Sequence, residues 1–169
     1  MSDLLARAVA LAYFMAPAYV ANLVPPFVKY WRGWNRPISR RWLGGHKTVV
    51  GFGAGLAGAL LTTHVQARLG WAGGLVAYDD WATLGLLFGV GAMAGDSAKS
   101  FLKRRRGIAP GAPWVPFDQL DFVVGALALA GPRAPLGWTD ILLILVLSAG
   151  GHVLVNHLGW ALGIRETRW

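Results

Sequence analysis

Hydrophobic and polar positions along this chain fall into long blocks. Five apolar blocks stand out: Leu4 to Val28, Thr48 to Ala67, Trp81 to Ala94, Phe122 to Ala130 and Ile141 to Leu162. A helix rising 1.5 Å per residue needs about 20 residues to cross a bilayer core of about 30 Å. Blocks one, two and five reach that length. The third has fourteen residues and the fourth nine. The pattern predicts an all-α, polytopic membrane protein with five transmembrane helices, folded as a single integral membrane domain over residues 1–169. To cross fully, the third helix must run on through Gly95, Asp96 and Lys99, and the fourth must begin near Asp118. Charge then enters the membrane slab from both sides of one loop. That is tolerated only against protein or a watery cavity; the alternative is a pair of short helices matched by local thinning of the bilayer.

Composition agrees with the block pattern. The chain is 55% hydrophobic and 14% charged, with mean hydropathy +0.46, whereas ordinary soluble domains are about a quarter charged. A net charge of +8 would suggest nucleic acid in a soluble chain. Beside apolar blocks of this length it points to phosphates, anionic headgroups and a cytoplasmic positive bias, and nucleic acid is not expected as a partner. There is no cysteine, which excludes a disulfide framework, a thiolate metal site and a cysteine nucleophile. Arg7 interrupts the first block and no small-residue cleavage site closes it, so that block is expected to be a retained span.

Basic residues set the expected orientation. The connector 29–47 carries Lys29, Arg32, Arg36, Arg40, Arg41 and Lys47. The connector 99–118 carries Lys99, Lys103, Arg104, Arg105 and Arg106, and the tail adds Arg165 and Arg168. Arg7, Arg68 and Arg133 are left for the other side. The positive-inside rule puts the N-terminus outside and the C-terminus in the cytoplasm, with both connectors on the cytoplasmic face of the cell membrane. No internal repeat is visible, which disfavours a duplicated transporter.

Two tracts can carry chemistry. In "GDSAKSFLKRRRG", Gly95 to Gly107, residues Asp96, Lys99, Ser100 and Lys103 fall at i, i+3, i+4 and i+7 and share one helix face, with Arg104 and Arg105 following. In "PFDQLDFVVGA", Asp118 and Asp121 are three apart at a helix start. Two carboxylates so placed can ligate a hard cation such as Mg²⁺. Such a metal bridges phosphate oxygens, and the neighbouring basic residues would cradle a polyphosphate. The Pro/Gly-rich stretch "GIAPGAPWVPF" joins the tracts and is stiff enough to fix their relation. Each half has a simpler reading. A basic run beside a span also signals topology, and helix-start aspartates also complement the helix dipole.

The two tracts together resemble the CDP-archaeol synthase family, the archaeal relative of CDP-diacylglycerol synthase. That superfamily pairs S-x-x-K-R with a Gly/Pro-rich loop and D-[QR]-x-D, matched here by Ser100, Lys103 and Arg104, then Asp118, Gln119 and Asp121. Gln119 between the aspartates follows the archaeal pattern, where bacterial enzymes carry Arg. "LGGHKTVVG", Leu43 to Gly51, resembles the family's G-x-x-K-T-x-x-G segment. The resemblance implies a nucleotidyltransferase that joins CTP to an isoprenoid glycerol phosphate lipid, unsaturated archaetidic acid, and releases pyrophosphate with Mg²⁺ as cofactor. It implies a catalytic set of Asp96, Lys103, Asp118 and Asp121, with Asp96, Asp118 and Asp121 on metal. Lys47, Thr48, Lys99, Ser100, Lys103, Arg104, Arg105 and Gln119 are then expected on CTP and its phosphates. A lipid phosphate is largely dianionic near neutral pH and needs no general base, so the lack of a triad fits.

Other features stay open at this level. Lys47 and Thr48 at a helix start suit an anion, and equally suit an interface anchor and turn. His152, Asn156, Gly159 and Gly163 share a face of the fifth span, as a polar wall for a headgroup path or as a helix-packing seam. His64 and His157 suggest no partner, and Asp79 and Asp80 are expected to be solvated. A small non-enzymatic transporter or lipid-binding adaptor with basic cytoplasmic loops is the alternative function. A CDP-alcohol phosphotransferase is disfavoured, because its D-G-x-x-A-R tract is absent.

Overall fold

The computed structural model describes residues 2–28, 35–109 and 112–161, apart from the side chains of Ser2, Asn156 and Gly159. Lys29, Arg32, Gly163, Arg165 and Arg168 lie outside the described residues. Among the described residues six α-helices follow one another: α1 Ser2–Leu23, α2 Pro25–Val28, α3 Val49–Leu69, α4 Trp81–Arg105, α5 Phe117–Ala130 and α6 Trp138–Ala161, with a short 3₁₀ turn at Gly131–Arg133. No strand occurs among the described residues. A lone antiparallel bridge between Pro37 and Thr48 folds the first connector back on itself, which sets Lys47 at the mouth of α3.

Among the described residues, three helical segments are long and apolar enough to cross a membrane: Asp3–Val28, Val49–Leu69 and Trp138–Val155. At 25 residues α4 has the length, but its last ten residues carry Asp96, Lys99, Lys103, Arg104 and Arg105. With 14 residues, α5 spans only about 21 Å. Outward-facing Leu5, Phe27, Leu61, Leu69, Leu142 and Val146 are more than 60% exposed. An apolar coat of this kind suits lipid as the surrounding solvent.

The core forms around α1. Leu11, Phe14, Met15, Ala18 and Ala21 recur at helical spacing and are fully buried. Phe14 meets Phe88 of α4 edge-on at 4.9 Å, a favoured aromatic geometry. On α6 the buried side chains among the described residues form one stripe, Asp140, Ile144 and Ser148 at i, i+4 and i+8. Polar contacts fix that stripe to α1. Arg7 donates to both Asp140 carboxylate oxygens at 2.8 and 2.6 Å, and Tyr19 and Ser148 share a hydrogen bond of 2.8 Å.

The contact that matters most for the site is between α4 and α5. Gly91 and Gly95 of α4 face Gly125 of α5 so closely that a Cβ at Gly91 would lie 2.5 Å from the Gly125 carbonyl oxygen. Only hydrogen side chains permit this backbone approach. It lays the charged end of α4 against the first turns of α5. Gly107, in the left-handed region at φ 70°, then ends α4 in a Schellman motif: Ile108 N–H donates to Lys103 O at 3.0 Å and Gly107 N–H to Arg104 O at 3.2 Å.

Candidate active site

One end of the bundle gathers the start of α3, the end of α4, the start of α5, the segment around α2 and the middle of α6. They surround a cavity of about 590 Å³. Lys47, Thr48, Asp96, Lys99, Asp118 and Asp121 line its charged side. Pro25, Pro26, Phe52 and Met93 give it an apolar side, and His152 reaches it from α6.

The charged side is a continuous alternation of lysine and aspartate. Lys47 pairs with Asp96. Lys99 Nζ lies 3.4 Å from Asp96 Oδ1, 3.2 Å from Asp118 Oδ1 and 2.7 Å from Asp121 Oδ2. Lys103 Nζ contacts both Asp118 oxygens, at 3.0 and 3.1 Å, and donates to the Ala112 carbonyl at 2.5 Å. Three lysines and three aspartates thus balance one another, which is how charges survive burial. Asp121 is the deepest, its side chain 4% exposed. Its Oδ1 accepts the Phe122 N–H at 2.7 Å. Its Oδ2 is buried, with the Lys99 ammonium as its ion-pair partner.

The helix i, i+3, i+4, i+7 face expected from Asp96 to Lys103 is present, but its members do different things. Ser100 turns its hydroxyl back to the Asp96 carbonyl at 2.9 Å and does not line the cavity. Thr48 lines the cavity while its Oγ1 accepts the Gly51 N–H at 3.1 Å, capping α3. Gln119 is buried behind the site, its Oε1 without a hydrogen bond. Arg104 is half-buried outside the lining, and Arg105 lies over the Phe101 ring at 5.4 Å. The Gly/Pro-rich loop is held at both ends. Arg106 covers the Trp114 ring at 5.2 Å, and Trp114 N–H donates to Asp118 Oδ2 at 2.5 Å.

Asp96, Asp118 and Asp121 are a hard-oxygen set that suits a divalent cation, and the deepest of these oxygens, Asp121 Oδ2, has the Lys99 ammonium as its cation at 2.7 Å. As they stand, no three carboxylates or imidazoles among the described residues converge into a ready metal position, because each carboxylate is turned onto a lysine. The expected ligand trio therefore surrounds an ammonium.

Several further contacts lie away from the cavity. Arg7 and Asp140 form a bidentate pair. His64 meets Trp81 edge-on at 4.7 Å, and His157 Nδ1 is 2.9 Å from the Val153 carbonyl. Asp79 and Asp80 are exposed as expected, with Arg133 3.7 Å from Asp80.

An all-helical fold coated in apolar side chains, with a buried lysine–aspartate network at one end, is that of a membrane protein with a charged site. The family model described as CarS-like CDP-archaeol synthase matches residues 1–169, and the chain belongs to that family. It is 39% identical to the CDP-archaeol synthase of Methanopyrus kandleri, across 93% of this chain and 91% of that one. It is 37% identical to that of Methanospirillum hungatei JF-1, over 92% and 100%, and 37% identical to that of Halobacterium salinarum, over 99% of each. A solved intramembrane enzyme for archaeal membrane lipid biosynthesis superposes with a TM-score of 0.67, at 29% identity over 86% of this chain and 91% of that one. Family membership makes the chain a membrane enzyme of archaeal lipid biosynthesis, a CTP-using cytidylyltransferase. It sets aside the transporter and adaptor alternative, and it implies a divalent-metal-dependent nucleotidyl transfer.

Proposed function

We propose that this chain transfers the cytidylyl group of CTP to unsaturated archaetidic acid, an isoprenoid glycerol phosphate, with Mg²⁺, at a cytoplasm-facing site in a five-span bundle. The observation that carries this reading is the Lys47–Asp96–Lys99–Asp121/Asp118 network along one side of a cavity whose other side is apolar, with Lys103 behind it on Asp118. The charged side suits a triphosphate and the apolar side suits an isoprenoid glycerol.

In the transfer, an oxygen of the lipid phosphate dianion forms a bond to the α-phosphorus of CTP. The α–β phosphoanhydride bond breaks, and pyrophosphate leaves with its electron pair. No proton need be removed from the nucleophile, so position and charge carry the reaction. Lys47 and Lys99 line the cavity and are placed to bind the phosphates and draw charge towards the leaving group, while Lys103, outside the lining, holds Asp118. Asp96, Asp118 and Asp121 would hold Mg²⁺, which when bound offsets the negative charge shared between attacking and leaving oxygens. The apolar side excludes water, the competing nucleophile.

The purified protein, given CTP, Mg²⁺ and the unsaturated ether-lipid phosphate, should release one pyrophosphate per CDP-lipid formed and stop on chelation of the metal. No pyrophosphate from this mixture, in protein that is folded by gel filtration, would remove the reading. Topology is tested separately. Single cysteines at Ser39 and Ala109 should react from the cytoplasmic face and one at Asp79 from the opposite face. Labelling of Ser39 and Ala109 from different sides would break the shared site.

A further inference from the structure

Lys99 touches all three carboxylates of the network, while Lys47 touches Asp96 and Lys103 touches Asp118. Its ammonium therefore sits where a cation shared by Asp96, Asp118 and Asp121 would have to sit. Two cations cannot hold that volume together at low dielectric. An ammonium displaced from three carboxylates in a partly buried site then needs a new anion. The arriving triphosphate is that anion.

We propose that Lys99 is a resident counter-cation that closes the metal position until the nucleotide arrives, so that divalent metal and CTP bind as a coupled pair. This rests on the reading that the site takes both. Three features carry it. The six charged groups are formally neutral together, so a metal entering alone would leave Lys99 without a partner, and a triphosphate entering alone would compete with three aspartates for the lysines. Asp121 Oδ2 is buried and its charge is met by Lys99 Nζ at 2.7 Å, so withdrawal of that ammonium would leave the oxygen in need of another cation. Finally, the lysine stem is flexible, so the ammonium can move from carboxylate to phosphate without moving α4. When pyrophosphate leaves, Lys99 returns to the carboxylates and the metal goes with the product. Linkage requires the coupling to be reciprocal: the factor by which CTP tightens metal equals the factor by which metal tightens CTP.

The test measures Mn²⁺ binding to the detergent-purified full chain without nucleotide, from the free Mn²⁺ electron paramagnetic resonance signal. Wild type should bind Mn²⁺ weakly. Lys99→Met and Lys99→Gln should bind it at least tenfold more tightly. Titrating CTP with and without Mg²⁺ by calorimetry should show at least tenfold tightening by metal in wild type and a clearly smaller factor in either variant. Equal Mn²⁺ affinity in wild type and a folded variant, without nucleotide, overturns the proposal. Should neither variant fold, wild type alone decides: Mn²⁺ affinity unchanged by saturating CTP, after allowance for Mn²⁺–CTP in solution, also overturns it. Failure of the enzyme reading looks different. Coupled Mn²⁺ and CTP binding without pyrophosphate release would sink the proposed reaction and leave the role of Lys99 intact. Turnover with nucleotide-independent Mn²⁺ binding would sink the role of Lys99 alone.

Discussion

Asp121→Asn should lower kcat by about a thousandfold with little loss of fold. A carboxylate that holds a metal against developing charge contributes several kcal/mol to the transition state, and each 1.36 kcal/mol is about tenfold in rate. Asparagine keeps the shape of the side chain and can still accept the Phe122 N–H now taken by Oδ1 at 2.7 Å. Lys99 keeps Asp118 at 3.2 Å and Asp96 at 3.4 Å, so no cation is left buried and bare. Asp118→Asn should differ in kind. It takes from Lys103 the carboxylate that it contacts through both oxygens, and it weakens the acceptor for Trp114 N–H. Loss of kcat should therefore come with a raised KM for CTP and a lower Tm. The measurement is pyrophosphate release across CTP and Mg²⁺ titrations, with thermal unfolding alongside. Near-normal kcat in folded Asp121→Asn would take the metal away from that carboxylate.

The parts of the site that lie close together along the chain are legible in the sequence. The fourteen-residue apolar block from Trp81 can cross a membrane only by continuing into charge, and α4 does run on to Arg105. The nine-residue block from Phe122 needs a start near Asp118, and α5 starts at Phe117. Periodicity also places Asp96, Lys99 and Lys103 on one face. The same rule, at 100° per residue, puts Arg105 half a turn round from Asp96, where it stacks on Phe101; the unbroken run of basic residues hides that signal. What periodicity cannot supply is a partner on another helix. Lys47 and Asp96 are 49 residues apart, and Arg7 and Asp140 are 133 apart. Neither pairing follows from local spacing, because it depends on which helix ends meet and at what depth. The choice made by Lys99 is of the same kind. Its motif position suggests phosphate, whereas the folded chain rests it on three carboxylates from two helices.

Gly95→Ala should cost about 100-fold in kcat through backbone position alone. A methyl group at Gly95 would lie 3.0 Å from the Asp121 carbonyl carbon and 3.2 Å from the Gly125 Cα, with the Asp121 carbonyl oxygen closer still. Those are backbone atoms of α5, so no side chain can rotate away to make room. The helices must part, and Asp96, the next residue on α4, moves relative to Asp121. A shift near 1 Å in a catalytic constellation can cost about 10²-fold in rate, while overpacking of this size costs about 1–3 kcal/mol of stability. The protein should therefore still fold, with a lower Tm. Gly53→Ala is the control, since a Cβ there meets nothing within 4 Å; its kcat and Tm should stay near wild type. Lys99 reports the geometry directly. If the two carboxylates move apart it cannot bridge them, and the Mn²⁺ affinity of Gly95→Ala in the presence of CTP should fall together with kcat. Wild-type kcat in Gly95→Ala would show that the spacing of Asp96 and Asp121 is set elsewhere than at this helix crossing.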